Sequence, residues 1–259
     1  MKSNSLAIGT FFHRIKRLTL STTLLVSAAV YSNFAAAGMI TPDIIFGTGN
    51  SNRGFTVETS GSLELGIRAK LRYGPTGQPN DEIGVGIIEN PSGTYFFDSN
   101  EADAPADRAM WNYDWSINSN VDGNGSNLDA WVFTLLVDDN PTAAINFVPY
   151  DPVGLISTGA YLGNNSTPNG GGMFFADPTS DLASNNVAQN SVNYGFLPGF
   201  PLGDGEFALQ LQAMAPGGPI ISTSINVIVR PGGAVPVPGV MALMMAGFVG
   251  LALSRRRQR

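Results

Sequence analysis

Leu63-Glu-Leu-Gly-Ile-Arg-Ala-Lys-Leu-Arg-Tyr73 is the stretch that decides the fold class. Its odd-numbered positions are all apolar, and four of its five even-numbered positions are charged. Successive side chains of a β-strand point to opposite faces, so this alternation predicts a long strand with one apolar face and one solvent-exposed face. A sheet with one wet face is typical of antiparallel architectures.

The same period of two recurs elsewhere between turns rich in Gly, Pro, Asn and Asp. Further strands are predicted within residues 93–98, 110–118, 130–137 and 143–148, whereas residues 149–204 are rich in loop signals. Residues 207–213 and 221–229 alternate strongly, and the short Ala215–Pro219 link between them predicts a hairpin. No helical periodicity is interleaved, so we predict an all-β fold, an antiparallel β-sandwich (jelly-roll or immunoglobulin-like) of about 6–8 strands.

The N-terminus predicts a signal peptide over residues 1–37. Its positive segment contains Lys2, Arg14, Lys16 and Arg17. An apolar run over residues 18–30 follows, and Ala35 and Ala37 form a small-residue site for cleavage before Gly38. The run is too short to span a bilayer comfortably. We therefore expect the secretion machinery to export the chain through the inner membrane, with a β-sandwich domain over residues 38–233.

The C-terminal residues 234–259 predict a short membrane anchor. Residues 239–253 carry no charge, and as a helix they would span about 22 Å of a bilayer core of about 30 Å. The preceding prolines cannot lengthen this helix, which we place at about 239–254. Positive charge stops the segment in the cytoplasm, and it comes from Arg255, Arg256, Arg257 and Arg259. One interpretation is an ordinary single-span anchor.

The order of these three parts resembles the PEP-CTERM sorting signal of exported bacterial proteins. In that family a short proline motif, a short apolar helix and an arginine cluster are recognised and cut by an exosortase in bacteria that make exopolysaccharide. The motif occurs here as Val235-Pro236-Val237-Pro238, with Val237 where the family usually has glutamate. Residues 63–73, 111–118 and 186–191 also resemble blocks in one group of exported PEP-CTERM proteins. The resemblance implies transient anchoring, cleavage and a final place at the cell surface or outside the cell.

Charge and composition exclude several classes of function. All 20 acidic residues lie between the two ends, against six basic ones, so the body carries about −14 of net charge. Nucleic-acid binding needs a cationic footprint, and we expect no nucleic-acid partner. The chain has no cysteine, and its one histidine, His13, lies in the predicted signal peptide. Thiol nucleophiles, serine–histidine triads and zinc sites therefore lack their residues, and we predict neither an enzyme nor a resident cofactor.

One loop has the oxygen-rich pattern of a calcium site. Its candidate ligands are Asp122, Asn124, Ser126 and Asp129. Calcium accepts six to eight oxygen ligands in flexible geometry, which such a loop can supply. The alternative is a polar turn between two strands. The sequence therefore offers calcium as a candidate ion and does not require it.

A second candidate site is a set of tryptophans that could stack on a sugar. They are Trp111, Trp115 and Trp131. Tryptophans on the inner face of a sandwich are usually core, which is the alternative interpretation. The amides over residues 185–193 likewise suit either a glycan or local caps. The four carboxylates of residues 98–107 would permit glycoside hydrolysis, although loop carboxylates are more often solvated.

These observations favour an exported structural or interaction protein of the cell envelope or extracellular matrix. Its expected partners are the secretion machinery, an exosortase, the inner membrane through the C-terminal helix, and exopolysaccharide. The alternative is a secreted carbohydrate-binding module, with or without a dependence on calcium.

Overall fold

Strands form nearly all of the regular structure in the computed structural model, which describes residues 37–41, 51–76, 93–154, 159–176 and 178–232. These residues belong to one unit, Ala35–Arg259. The strands are β1 (Ala37–Gly38), β2 (Phe55–Ser60), β3 (Leu63–Leu71), β4 (Thr94–Asp98), β5 (Trp111–Asn118), β6 (Val132–Asp138), β7 (Phe147–Tyr150), β8 (Ala160–Gly163), β9 (Met173–Phe175), β10 (Val187–Asn193), β11 (Gly205–Met214) and β12 (Ile220–Arg230). Short 3₁₀ helices cover Ser99–Glu101, Leu128–Ala130, Pro178–Ser180, Leu182–Ser184 and Tyr194–Phe196.

The strands form two sheets. One has seven strands in the order β1-β2-β3-β5-β10-β8-β9, and the other has five in the order β4-β12-β11-β6-β7. Every pairing is antiparallel except the one between β4 and β12, which is parallel. The prediction of an all-β, mainly antiparallel fold is confirmed. The described residues hold twelve strands rather than the 6–8 expected.

A single large apolar core lies between the inner faces of the two sheets. Leu65 and Ile67 of β3 pack into the same cluster as Leu209 and Leu211 of β11. The odd-numbered residues of β3 are all part of this inner side, as the alternation predicted. A shared core between two sheets is the arrangement of a β-sandwich.

The second face of β3 differs from the prediction. The even-numbered residues Glu64, Arg68 and Lys70 are buried, although the alternation predicted a solvent-exposed face. The segment before β2 covers part of this face, because Arg68 donates to the backbone carbonyls of Ser51 and Arg53. The prediction of a wet face is therefore wrong for the described part of β3.

Some strands match the sequence pattern and others were missed. The hairpin of β11 and β12 is confirmed, with Met214 opposite Ile220 across its turn. Gly217 supplies the positive φ of +72° that the turn needs. The predicted strand at residues 143–148 is displaced to Phe147–Tyr150. Strands β1, β2, β8, β9 and β10 were not predicted, and β10 lies inside the seven-stranded sheet.

Both predicted targeting segments lie almost wholly outside the described residues. Ala37 is the one residue of the signal peptide that the structure describes. The last described residue is Gly232, and the sorting motif, the apolar run and the arginine cluster all come after it. Within the described ranges, no helix has the length and apolar character needed to cross a membrane.

Candidate functional site

Two of the three candidate sugar-stacking tryptophans lie in the core. Trp111 is 1% exposed and Trp115 is 2% exposed. The Trp111 ring stacks on Tyr194 with centroids 4.5 Å apart and lies 6.0 Å from Phe207 of the opposite sheet. A ring enclosed by other aromatic rings presents no face to a ligand. The stacking hypothesis therefore does not fit Trp111 and Trp115, whose alternation on β5 directs them inward.

Trp131 is placed differently from the other two tryptophans. It follows the 3₁₀ helix Leu128–Ala130 and is half-buried. Its indole N–H donates to the Ser126 hydroxyl at 3.2 Å. Trp131 thus packs against the loop that was predicted to bind calcium and does not join a platform with Trp111 and Trp115.

The predicted calcium loop is ordered by its own side chains. The Asp122 carboxylate accepts from the Asn124 backbone N–H at 3.0 Å and from the Asn124 amide at 3.3 Å. Hydrogen bonds from the Ser62 side chain and from Asn124 lower the pKa of Asp122. Asp129 is exposed in the adjoining 3₁₀ helix. Asp122 and Asn124 are thus hydrogen-bonded to each other, and the Ser126 hydroxyl accepts a hydrogen bond from Trp131.

No group of three or more Asp, Glu, His or Cys side chains in the described ranges is arranged to hold a metal ion. Calcium also accepts backbone and amide oxygens as ligands. Calcium binding at this loop therefore stays a prediction.

A buried ionic cluster lies on the other face of the seven-stranded sheet. Asp114 of β5 is opposite Arg68 of β3 in the ladder. Arg68 contacts Asp114 Oδ2 through Nε and Nη2, each at 2.7 Å, and Lys70 Nζ lies 3.5 Å from the same oxygen. All three side chains are almost fully buried. Two cations share one carboxylate in an interior where charge is costly unless paired.

The electrostatics of this cluster follow from its burial. Burial alone would raise the pKa of Asp114, but the charges of Lys70 and Arg68 and hydrogen bonds from Ser191 and Arg68 outweigh it, so the pKa is lowered. Burial also lowers the pKa of Lys70, and the nearby Asp114 opposes that effect. The cluster therefore links β3 to β5 inside the domain, and its burial keeps it out of reach of a ligand in solution.

The amides that were candidates for a glycan are hydrogen-bonded inside the domain. Asn186 donates to Asn118 Oδ1 at 2.9 Å and to Asn165 Oδ1 at 2.7 Å. Gln189 donates to the Ser116 hydroxyl at 3.0 Å, and Asn193 donates to the Ala109 carbonyl at 2.8 Å. These side chains therefore satisfy buried strands and loop ends inside the domain, through partners distant in sequence rather than through the local caps of the alternative interpretation.

An open polar surface lies on the outer face of the five-stranded sheet, which we call the amide face. It is formed by Thr134, Gln210, Gln212, Ser222, Ser224 and Asn226. They occupy neighbouring ladder positions, with Gln212 opposite both Thr134 and Ser222. Gln212 donates to Gln210 Oε1 at 2.8 Å. All six are half-buried or exposed, and none carries a charge.

An apolar row borders one end of the amide face. Val132, Met214 and Ile220 are consecutive across β6, β11 and β12, and all three are exposed. The alternation of these strands predicted their inner residues and indicated no role for the outer ones. The signal was present in the polar, uncharged residues at alternate positions of residues 207–229.

The chain leaves the described domain next to the edge strand β4. The backbone N–H of Gly232 donates to Asp98 Oδ1 at 2.8 Å, and the same oxygen accepts from the Asn100 backbone N–H. Asp98 was one of the four candidate glycosidase carboxylates, and it caps a turn and fixes the exit. The predicted tail therefore begins within a few residues of a fixed point on the domain.

No protein-family model matches the chain, and no curated protein matches it. Among solved structures, a DUF4426 family protein from Pseudomonas aeruginosa PAO1 is similar over 69% of this chain and 96% of its own, with 14% sequence identity and a TM-score of 0.28. A TM-score this low carries no argument about the function of this chain.

Proposed function

We propose that this protein is an exported structural or interaction protein of the cell envelope or extracellular matrix, sorted by its C-terminal tail. The observation that carries the proposal is the order of the tail: Val235–Pro238, the uncharged run and the arginine cluster come soon after the last described strand, which ends at Arg230. Gly232, the last residue that the structure describes, is held by Asp98. At a finer level we propose a jelly-roll or immunoglobulin-like sandwich for the body.

The sequence of events in this proposal follows from the charges at both ends. The secretion machinery exports the chain, and the signal peptide is removed before Gly38. The apolar run over about 239–254 then holds the body at the inner membrane, with the arginines on the cytoplasmic side. An exosortase cuts near Pro236–Pro238 and releases the acidic body to the cell surface or the medium. No enzymatic activity is part of the proposal.

Intact mass of the protein recovered from the envelope and the medium tests this proposal. A product that lacks residues 1–37 and everything after about residue 238 supports it. Replacing Arg255–Arg257 by glutamine should leave export intact and prevent release. Arg108→Gln, which removes a basic charge from the body, should be processed normally. A mature product that retains the arginine tail would refute sorting and leave an ordinary membrane anchor.

A second candidate function is a secreted carbohydrate-binding module, and the amide face favours it. Side-chain amides and hydroxyls both donate and accept hydrogen bonds, as sugar hydroxyls do. The face is uncharged on a strongly acidic body, which suits a neutral glycan better than an acidic one. In the calcium-dependent version of this hypothesis, Asp122, Asn124, Ser126 and Asp129 remain the candidate ligands.

Affinity electrophoresis in gels containing a neutral or an acidic polysaccharide tests this second candidate. Gln212→Ala and Ser224→Ala should abolish retardation by the neutral polymer, while Asp107→Asn on another surface should not. Retardation unchanged by the two amide-face variants would exclude this face, and loss on addition of a calcium chelator would identify calcium dependence. Release of reducing ends above background would instead indicate an enzyme.

A further inference from the structure

The residues on both sides of the predicted signal cleavage site are part of the folded sheet. Ala37 pairs with Thr56 and Gly38 pairs with Phe55 in the antiparallel ladder of β1 and β2. The bond to be cut therefore joins two residues that are both paired with the neighbouring strand. A cleavage site in a free linker would have no such partners.

The residues after the cleavage site are held by side chains from elsewhere in the chain. Asn52 bonds Ile40 in both directions: its Oδ1 accepts from the Ile40 N–H, and its Nδ2 donates to the Ile40 carbonyl, each at 2.6 Å. The Ile40 side chain is 2% exposed and packs with Phe55 and Val187 in a small apolar cluster. The backbone and the side chain of Ile40 are thus both fixed.

Thr41 ties the same segment to the middle of the seven-stranded sheet. Its N–H donates to Glu64 Oε1 of β3 at 2.6 Å, and its carbonyl accepts from the Asn118 amide of β5. The sheet also leaves room for the segment at Gly66, where a Cβ would lie 2.6 Å from Ile40 Cγ2. We call residues 37–41, held in this way, the docked segment.

Peptide-cleaving enzymes commonly bind the cut segment as an extended strand through its backbone groups. A strand that is already paired must first undock by local unfolding, so its cleavage follows the small undocked population. We propose that docking of residues 37–41 hides the signal cleavage site, so that cleavage must precede completion of the fold. A chain that docks first loses its signal peptide only slowly, through its small undocked population. This inference rests on the export pathway proposed above.

The test uses purified signal peptidase and compares cleavage of the full chain, folded in detergent micelles with its signal peptide, with cleavage of a peptide of residues 1–45. The peptide keeps the whole predicted signal peptide and lacks the strands on which residues 37–41 dock. The folded chain should be cut at least about tenfold more slowly than the peptide. Asn52→Ala removes both hydrogen bonds to Ile40 and should speed cleavage of the folded chain by about tenfold. Asn140→Ala removes the two hydrogen bonds that Asn140 Oδ1 accepts from Thr142, in the loop after β6 of the five-stranded sheet, and should cleave at the wild-type rate. Intact mass identifies the product that begins at Gly38.

Hydrogen exchange separates local undocking from general unfolding. In the wild type the amides of Ile40 and Thr41 should be protected, and Asn52→Ala should expose them while Leu211 in β11 stays protected. Equal cleavage of wild-type chain and peptide would refute hiding of the site and leave the export proposal intact. A peptide that is not cut before Gly38 would overturn both the predicted signal cleavage and this inference.

Discussion

Replacement of Asp114 by asparagine tests whether the buried ionic cluster stabilises the domain. Asn has nearly the same size as Asp, so the change removes the charge and little else. It leaves Arg68 and Lys70, which are 0% and 2% exposed at their side chains, without the carboxylate they share. Removing one partner of a buried ion pair typically costs about 3–5 kcal/mol, because an uncompensated charge stays in the interior.

The structure places the expected cost at the lower end of that range. Arg68 retains the carbonyls of Ser51 and Arg53 as acceptors, so part of its charge remains solvated by the backbone. We therefore expect Asp114→Asn to lower the free energy of unfolding by about 3 kcal/mol. With a urea dependence of about 2–3 kcal/mol per molar, the unfolding midpoint should fall by about 1 M or more.

Urea unfolding of the protein in detergent, followed by the fluorescence of the buried tryptophans, measures this effect. The matched control is Asp107→Asn, which breaks a 2.6 Å ion pair with Arg108 on the surface, where the carboxylate side chain is 72% exposed. That change should cost about 0–1 kcal/mol. Because the pKa of Asp114 is lowered in the folded state, its stabilising effect is present above the unfolded-state pKa of about 3.9 and is lost as pH falls through the folded-state pKa. An Asp114→Asn midpoint equal to that of the control would refute the reasoning.

Three further predictions follow from burial. Trp111→Ala should lower the free energy of unfolding by about 3–5 kcal/mol, and Trp131→Ala should lower it clearly less. Thermal denaturation measures both, and similar losses for the two variants would contradict the placement of Trp111 in the core. Burial raises the pKa of Glu64, so stability should fall as pH rises from the unfolded-state pKa of about 4.3 through the raised folded-state pKa. In Glu64→Gln this fall should be absent from urea titrations repeated at increasing pH. Gly66→Ala should lower the free energy of unfolding by about 1–3 kcal/mol, because the added Cβ would crowd the Ile40 side chain. Hydrogen exchange of the Ile40 amide should then be faster. An unchanged exchange rate would show that the Ile40 side chain moves aside without undocking.

The inner half of the fold was predictable because it depends on local alternation. Strands β3, β5, β6, β11 and β12 place apolar residues at every second position, and that signal does not depend on distant partners. Strand β10 was missed because its sequence, Val-Ala-Gln-Asn-Ser-Val-Asn, is polar at the positions that face the other strands' amides and hydroxyls. Gln189 and Asn193 become acceptable in a buried strand only through partners more than 70 residues away, Ser116 and Ala109.

Prediction of the candidate sites was limited for the same reason, because the burial of polar residues depends on partners distant in sequence. A charge at an alternate strand position normally indicates solvent, and Arg68 and Lys70 were assigned to a wet face on that basis. Their burial depends on Asp114, 46 residues beyond Arg68, and on the backbone of residues 51–53, neither of which leaves a mark in the pattern of residues 63–73. The outer face of the five-stranded sheet has the opposite character, since Gln212 and Ser224 remain open there without charge. Polarity at alternate positions thus predicts which residues avoid the apolar core, and only the tertiary partners decide whether those residues form an internal tie or a surface available to a ligand.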